Sequence, residues 1–186
     1  GMAEVIKYGA ICDKDFFEEI ETCGTGENHA AHIENPAARL EQIVFKCCDI
    51  KRRFVEQDEK DSGERRKLNF GHSFGHAIER MGNFNENTHG EAVAMGMCIA
   101  AKVGQAMGIT EPGTAERIGG VAKNCGLPVE LPEKLRLDCR TIIKHMAVDK
   151  KNEGEDLTLV LLKEIGESII FGVPEEELLK ILRNVL

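Results

Sequence analysis

The residues best suited to chemistry lie in one short run, Leu68-Asn69-Phe70-Gly71-His72-Ser73-Phe74-Gly75-His76-Ala77-Ile78-Glu79. His72 and His76 are four apart, so on a helix both imidazoles leave one face. A glycine precedes each histidine, at a cost in helix stability, which implies a close approach to the backbone there. Thirteen residues after His76 comes His89-Gly90-Glu91. Three histidines near two helix starts, with a carboxylate, are a candidate divalent-metal site. Neutral imidazoles with an oxygen ligand suit zinc, and cobalt or iron equally. Spacing alone leaves core or capping histidines open as the other reading, because no zincin glutamate lies between His72 and His76. His29 and His32 read as exposed loop residues and His145 as structural.

A second constellation is cationic. Lys51, Arg52, Arg53, Lys60, Arg65, Arg66 and Lys67 precede the histidine run, interleaved with Glu56, Asp58, Glu59, Asp61 and Glu64. Most read as a solvated helix end. Lys51 and Arg65 are the candidates for holding a phosphate or carboxylate, which a planar guanidinium binds bidentately. A third cluster, Asp149-Lys150-Lys151-Asn152, reads on its own as a charged turn.

The elements that must position these groups are mostly helices. Periodicity predicts helices over 2–12, over 13–23 with Asp13 as cap, and from Asn35-Pro36 to about Glu59. Leu40, Ile43, Val44, Cys47, Ile50 and Phe54 mark the expected buried face of that long helix. A helix from about Asn69 to Met81 carries the histidines. Thr88 caps the next, over 89–107, which is so apolar that it must be central. Helices over 111–125 and 133–147 follow, with Gly126 just past the first of them. The period then changes: Leu157–Leu162 and Glu167–Phe171 read as a hairpin around Lys163-Glu-Ile-Gly. Pro174 and three glutamates open a last helix, acids at its positive end. The expected class is all-α with one small β-hairpin near the C-terminus, since one hairpin makes no β-core.

The 186 residues suit one domain over 1–186, able to bury a core without disulfide or metal. Lys+Arg 24 against Asp+Glu 32 leaves a net charge of −8, which argues against nonspecific binding to nucleic acid or an anionic membrane. The longest apolar run, Ala92 to Ala101, is too short to span a bilayer, and no signal pattern opens the chain. Seven cysteines without a CxxC pair read as reduced, mostly buried thiols of a cytoplasmic protein. With no Trp and one Tyr there is no stacking platform for single strands.

Three motifs in order and spacing now resemble one family, the 3-dehydroquinate synthases. They are Ala3-Glu4-Val5-Ile6-Lys7-Tyr8-Gly9, then Asp58 to Arg65 running into the histidine segment, then His89-Gly90-Glu91-Ala92-Val93-Ala94-Met95-Gly96-Met97. Lys51, fourteen positions before Arg65, and Asp149-Lys150-Lys151 fit the same pattern. The resemblance implies that Glu4, His72 and His89 hold a catalytic Zn2+ (or Co2+). It implies that His76 faces substrate as a hydrogen-bonding or proton-relay group. Lys7, Lys51, Arg65, Asn69 and at least one of Lys150 and Lys151 match substrate-contacting positions, which fits an anionic sugar-acid phosphate.

The implied reaction converts 3-deoxy-D-arabino-heptulosonate 7-phosphate to 3-dehydroquinate and phosphate, in the shikimate pathway of aromatic amino-acid biosynthesis. NAD takes a hydride and returns it, with phosphate elimination between and an aldol closure after. Asp61 stands where the family usually has Glu. The family places an NAD-binding α/β domain before the AEVIKYG motif, and no strand–glycine turn–helix unit occurs here. The chain therefore reads as the C-terminal, metal- and substrate-binding half, inactive alone, with a homodimer implied for the whole enzyme. Its opening at Gly1, without a capping residue, reads as an added residue or a start inside a longer protein. The alternatives are a domain of another sugar-phosphate cyclase, which would share the metal ligands, or a non-catalytic helical module.

Overall fold

The computed structural model describes residues 1–23, 36–61, 63–83, 85–136, 138–148 and 156–186. In chain order these form α1 (Met2–Cys12), α2 (Lys14–Cys23), α3 (Pro36–Gln57), a 3₁₀ helix (Glu64–Asn69), α4 (His72–Met81) and α5 (His89–Ala106). There follow α6 (Thr114–Asn124), α7 (Glu133–Arg136), α8 (Cys139–Val148), β1 (Asp156–Glu164), β2 (Glu167–Pro174) and α9 (Glu175–Val185). The class is the expected one, helices with a single antiparallel hairpin.

The apolar helix α5 is the centre. Every residue from Ala92 to Ala101 is buried, and α1, α4, α6, α9 and β1 all pack on it. Its start is fixed by a capping box: the Thr88 hydroxyl accepts from the Glu91 backbone N–H, and the Glu91 carboxylate accepts from the Thr88 N–H. The glycines around the histidines are explained by α5, not by a ligand. Gly71 has φ +80°, and a Cβ there would stand 2.9 Å from the Met97 nitrogen and the Val93 carbonyl oxygen. Gly96 on α5 is tighter still, its would-be Cβ 2.1 Å from the Gly71 carbonyl oxygen. Helices α4 and α5 thus touch backbone to backbone, and glycine alone permits that spacing.

Several element boundaries differ from the periodicity. Asp58 Oδ2 accepts from the N–H groups of Gly63 and Arg65, at 2.7 and 3.1 Å, and winds the following residues into a 3₁₀ turn. With Gly71 left-handed, α4 then begins at His72 and not at Asn69. The expected helix over 133–147 is two helices, because Asp138 Oδ1 accepts from the Thr141 N–H and caps α8 afresh. On α3, Ile50 is buried and Ile43, Cys47 and Phe54 are half-buried, but Leu40 and Val44 are exposed, at 61% and 53%. Helix α3 packs on α1 and the 3₁₀ helix, and among the described residues no element covers Leu40 and Val44. The Asn35 cap expected for α3 lies outside the described residues.

The hairpin pairs Leu157 with Val173, Val160 with Ile170 and Leu162 with Ser168, and turns at Ile165-Gly166. Period two splits β1 into faces: Leu157, Leu159 and Leu161 enter the core, while Thr158 and Val160 are aimed the other way. The Gly166 N–H donates to the Ala10 carbonyl at 2.9 Å, which pins the turn to α1. Cys98 and Cys139 are buried, Cys12, Cys47 and Cys125 half-buried, and Cys48 exposed, all as free thiols. No helix among the described residues is long and apolar enough to cross a membrane.

Candidate metal centre

Three elements deliver the site. Helix α1 offers Glu4 from its first turn. Helix α4 offers His72 and His76 one turn apart, and α5 offers His89 as its first residue, directly after the capping box. The three imidazoles cluster, with ring centroids 5.4 to 6.0 Å apart. Ligand atoms of Glu4, His72 and His89 all lie within 4.8 Å of one another. Residues 4, 72 and 89, the set that the resemblance alone implies, therefore lie close together.

The electrostatics of the pair Glu4–His72 carries more information. His72 Nδ1 is 3.2 Å from the Phe70 carbonyl oxygen, which can only accept, so Nδ1 holds the proton and Nε2 the lone pair. That Nε2 faces Glu4 Oε1 at 3.5 Å. Glu4 Oε1 is buried and has no hydrogen-bond partner. Two acceptors thus face each other with no proton between them. Burial, reinforced by the Lys7 charge, pushes the His72 pKa down to about 4, so at neutral pH the ring does not supply that proton. A divalent cation resolves the conflict, and the donor set of two imidazoles and a carboxylate suits Zn2+ or Co2+.

The other Glu4 oxygen is occupied: Lys7, a residue 3% exposed, donates from Nζ to Oε2 at 2.7 Å. Burial pulls the Lys7 pKa below its ordinary value. The Glu4 carboxylate opposes that shift, and the Lys51 charge on α3 adds to it. Lys7 and Lys51 therefore feel each other beside the Glu4 carboxylate.

Beside the histidines opens a cavity of about 240 Å³. His72 and His76 line it from α4, Asn69 and Arg66 from the 3₁₀ helix, Met146 from α8, and Thr158, Val160 and Ile170 from the hairpin. Asn69 is where a substrate contact was expected. Arg65 is not among the cavity's lining residues; its guanidinium donates to the Glu59 carbonyl at 3.1 Å, and the neighbouring Arg66 lines the cavity. Asp61 sits exposed in the preceding turn with φ +57°. Lys150 and Lys151 lie outside the described residues, as do His29 and His32; the helix before the two lysines and the strand after them both line the cavity. His145 is not among the cavity's lining residues, and its main-chain carbonyl accepts from Arg80 at 2.7 Å.

The sequence missed the hairpin residues, whose role follows from their face of the strand, and it missed Glu79. Glu79 lies on the same face of α4 as His72 and His76, and its Oε1 is 3.1 Å from His89 Nδ1. The spacing 72, 76, 79 was the available signal.

Residues 1–152 match the family model described as 3-dehydroquinate synthase C-terminal. The chain belongs to the 3-dehydroquinate synthase C-terminal family. This C-terminal-family chain is 43% identical over 176 residues to the 3-dehydroquinate synthase of Clostridium perfringens (strain SM101 / Type A), covering 95% of the chain and 47% of that relative. It is 41% identical over 185 residues to that of Clostridium acetobutylicum, covering 100% and 49%. The chain spans about half the length of the curated relatives it matches. Its fold is shared with 2-epi-5-epi-valiolone synthase from Streptomyces hygroscopicus subsp. jinggangensis 5008, solved with NAD+ and Zn2+ bound. The TM-score is 0.79 at 22% identity, over 99% of this chain and 49% of that one. A 2-deoxy-scyllo-inosose synthase complexed with carbaglucose-6-phosphate, NAD+ and Co2+ matches with TM-score 0.76 at 22% identity, over 100% and 52%. Among the described residues the strands form only the antiparallel hairpin, so no parallel βαβ unit is present there to bind a dinucleotide.

Proposed function

We propose that this chain is the metal- and substrate-binding half of a 3-dehydroquinate synthase, acting on 3-deoxy-D-arabino-heptulosonate 7-phosphate to give 3-dehydroquinate and phosphate. The observation that carries the metal part is the buried, unpartnered Glu4 Oε1 facing the His72 Nε2 lone pair. The family membership and the identities above 40% support the reaction.

Glu4, His72 and His89 would hold the ion. Bound there, the ion would supply Lewis acidity and a template for a substrate hydroxyl, and NAD, bound outside this chain, would supply the hydride-transfer chemistry. The chain's own residues do the rest. Lys7 directs the Glu4 carboxylate through its 2.7 Å bond. His76, on the cavity wall, carries a proton to or from a substrate oxygen. Asn69 positions the substrate in the cavity, while Lys7, Lys51, Arg65 and one of Lys150 and Lys151 neutralise its anionic groups. The apolar hairpin residues Val160 and Ile170 exclude water from one side of the cavity. The dinucleotide site belongs to a further α/β domain, and the homodimer is formed by the whole enzyme.

The test has two parts. Titration of Co2+ into the purified chain should show one site, lost in His72→Ala. NAD-dependent phosphate release should be absent from the chain alone and present when it is joined to the N-terminal half of a relative; turnover by the chain alone overturns the half-enzyme reading. The runner-up is another sugar-phosphate cyclase, favoured by the shared fold of the two solved neighbours. A substrate panel on the joined enzyme separates the two.

A further inference from the structure

His89 is a poorly held ligand by packing alone, with its side chain 53% exposed. The capping box fixes the main chain of α5 where His89 begins it, but not the ring. Two candidate ligand groups compete for that ring: Glu4–His72–His89 on one side, and His76–Glu79–His89 on the other. The ring nitrogen whose contact is fixed is Nδ1, which faces Glu79 Oε1.

The hydrogen bond decides between them. An ionised carboxylate only accepts, so His89 Nδ1, 3.1 Å from Glu79 Oε1, carries the proton. Nε2 is then the nitrogen with a lone pair. His72 is arranged in the same way, with Nδ1 on the Phe70 carbonyl and Nε2 on the Glu4 side. Glu79 is well suited to brace the ring, because at 13% exposed it is held by its surroundings where His89 is not. It also shares its helix face with His72, so α4 delivers one ligand and the brace for another.

We infer that Glu79 is a positioning residue, fixing the tautomer and ring angle of His89 so that Nε2 joins Glu4 and His72, and that it is not a ligand of a second ion. The inference rests on the metal reading above. Carboxylates that brace a metal-bound histidine commonly contribute 10–100-fold in metal affinity.

The tautomer can be read without metal, from long-range ¹⁵N–¹H spectra of the metal-free chain. His89 should be the Nδ1–H form in the native chain and in Glu79→Gln, whose amide oxygen still accepts, and a mixture in Glu79→Ala. An Nε2–H tautomer in the native chain overturns the inference whatever the metal does. Co2+ titration supplies the second readout. Glu79→Ala should weaken binding about 10–100-fold, with Glu79→Gln recovering most of it. Two equivalents of Co2+, one of them lost in both His76→Ala and Glu79→Ala, would establish a second ion and overturn the inference. Absence of Co2+ binding by the native chain, with the Nδ1–H tautomer intact, would overturn the metal reading and leave the brace on His89 standing.

Discussion

The contact between α4 and α5 makes Gly96 the most exacting position in the structure. In Gly96→Ala the new Cβ would stand 2.1 Å from the Gly71 carbonyl oxygen and 2.8 Å from the Gly75 nitrogen. Both obstacles are backbone, so no rotamer change relieves them, and the helices must part by about 1 Å to restore an ordinary contact. Overpacking of this kind costs about 3 kcal/mol at the upper end of its usual range, because the obstacle cannot rotate away. Alanine returns about 1 kcal/mol through helix propensity. The net loss is about 2 kcal/mol, or roughly 4–8 °C in Tm for a chain of this size. Because α4 carries His72 and α5 carries His89, the same separation should weaken Co2+ binding. The control is Gly120→Ala, in mid-α6 with nothing within 4 Å of its would-be Cβ, which should gain about 0.5–1 kcal/mol. Urea unfolding of both variants checks the pair. A Gly96→Ala chain as stable as the native one, or a Gly120→Ala chain that falls with it, would refute the packing argument.

Other outcomes follow from single contacts. Thr88→Ala removes the acceptor for the Glu91 N–H and should cost about 1 kcal/mol in urea unfolding; Thr88→Ser should keep most of it. His72, lowered from 6.5 to about 4, binds fewer protons folded than unfolded across that window. Its contribution to stability is therefore complete above pH 6.5 and lost as pH falls towards 4, on the order of 3 kcal/mol. His72→Asn should flatten the acid limb of metal-free stability, and an unchanged limb would mean that other groups carry it. Thr110→Val removes the buried hydroxyl that donates to the Leu162 carbonyl at 2.6 Å and should cost about 1–2 kcal/mol by thermal unfolding.

Much of the site was legible because the residues that bind cations are few and local pattern places them. The i,i+4 histidines put two imidazoles on one face. Thr88 and Glu91 fixed where the next helix starts, hence where His89 stands. The glycines before His72 and His76 signalled a close approach, correctly, though the approaching body is helix α5 and not a ligand. What pattern misjudged were places where a side chain competes with the backbone ladder. Asp58 turned 64–69 into a 3₁₀ helix, and Asp138 cut one expected helix into two. Leu40 and Val44 sit at helical spacing with the buried Ile50 yet are exposed, because periodicity marks an apolar face without saying what covers it.

The sequence by itself determined the class of the fold and the central place of the apolar helix α5, and residue type and near spacing offered the three histidines as a candidate metal-binding cluster. Only the tertiary structure decided that Glu4 of α1 meets His72 of α4, far along the chain, that the hairpin walls the cavity with Val160 and Ile170, and that Glu79 reaches His89. Local periodicity fixes which way a side chain leaves its own element. The packing of α1, α4 and the hairpin around α5 sets which elements face one another, and that is a property of the whole core.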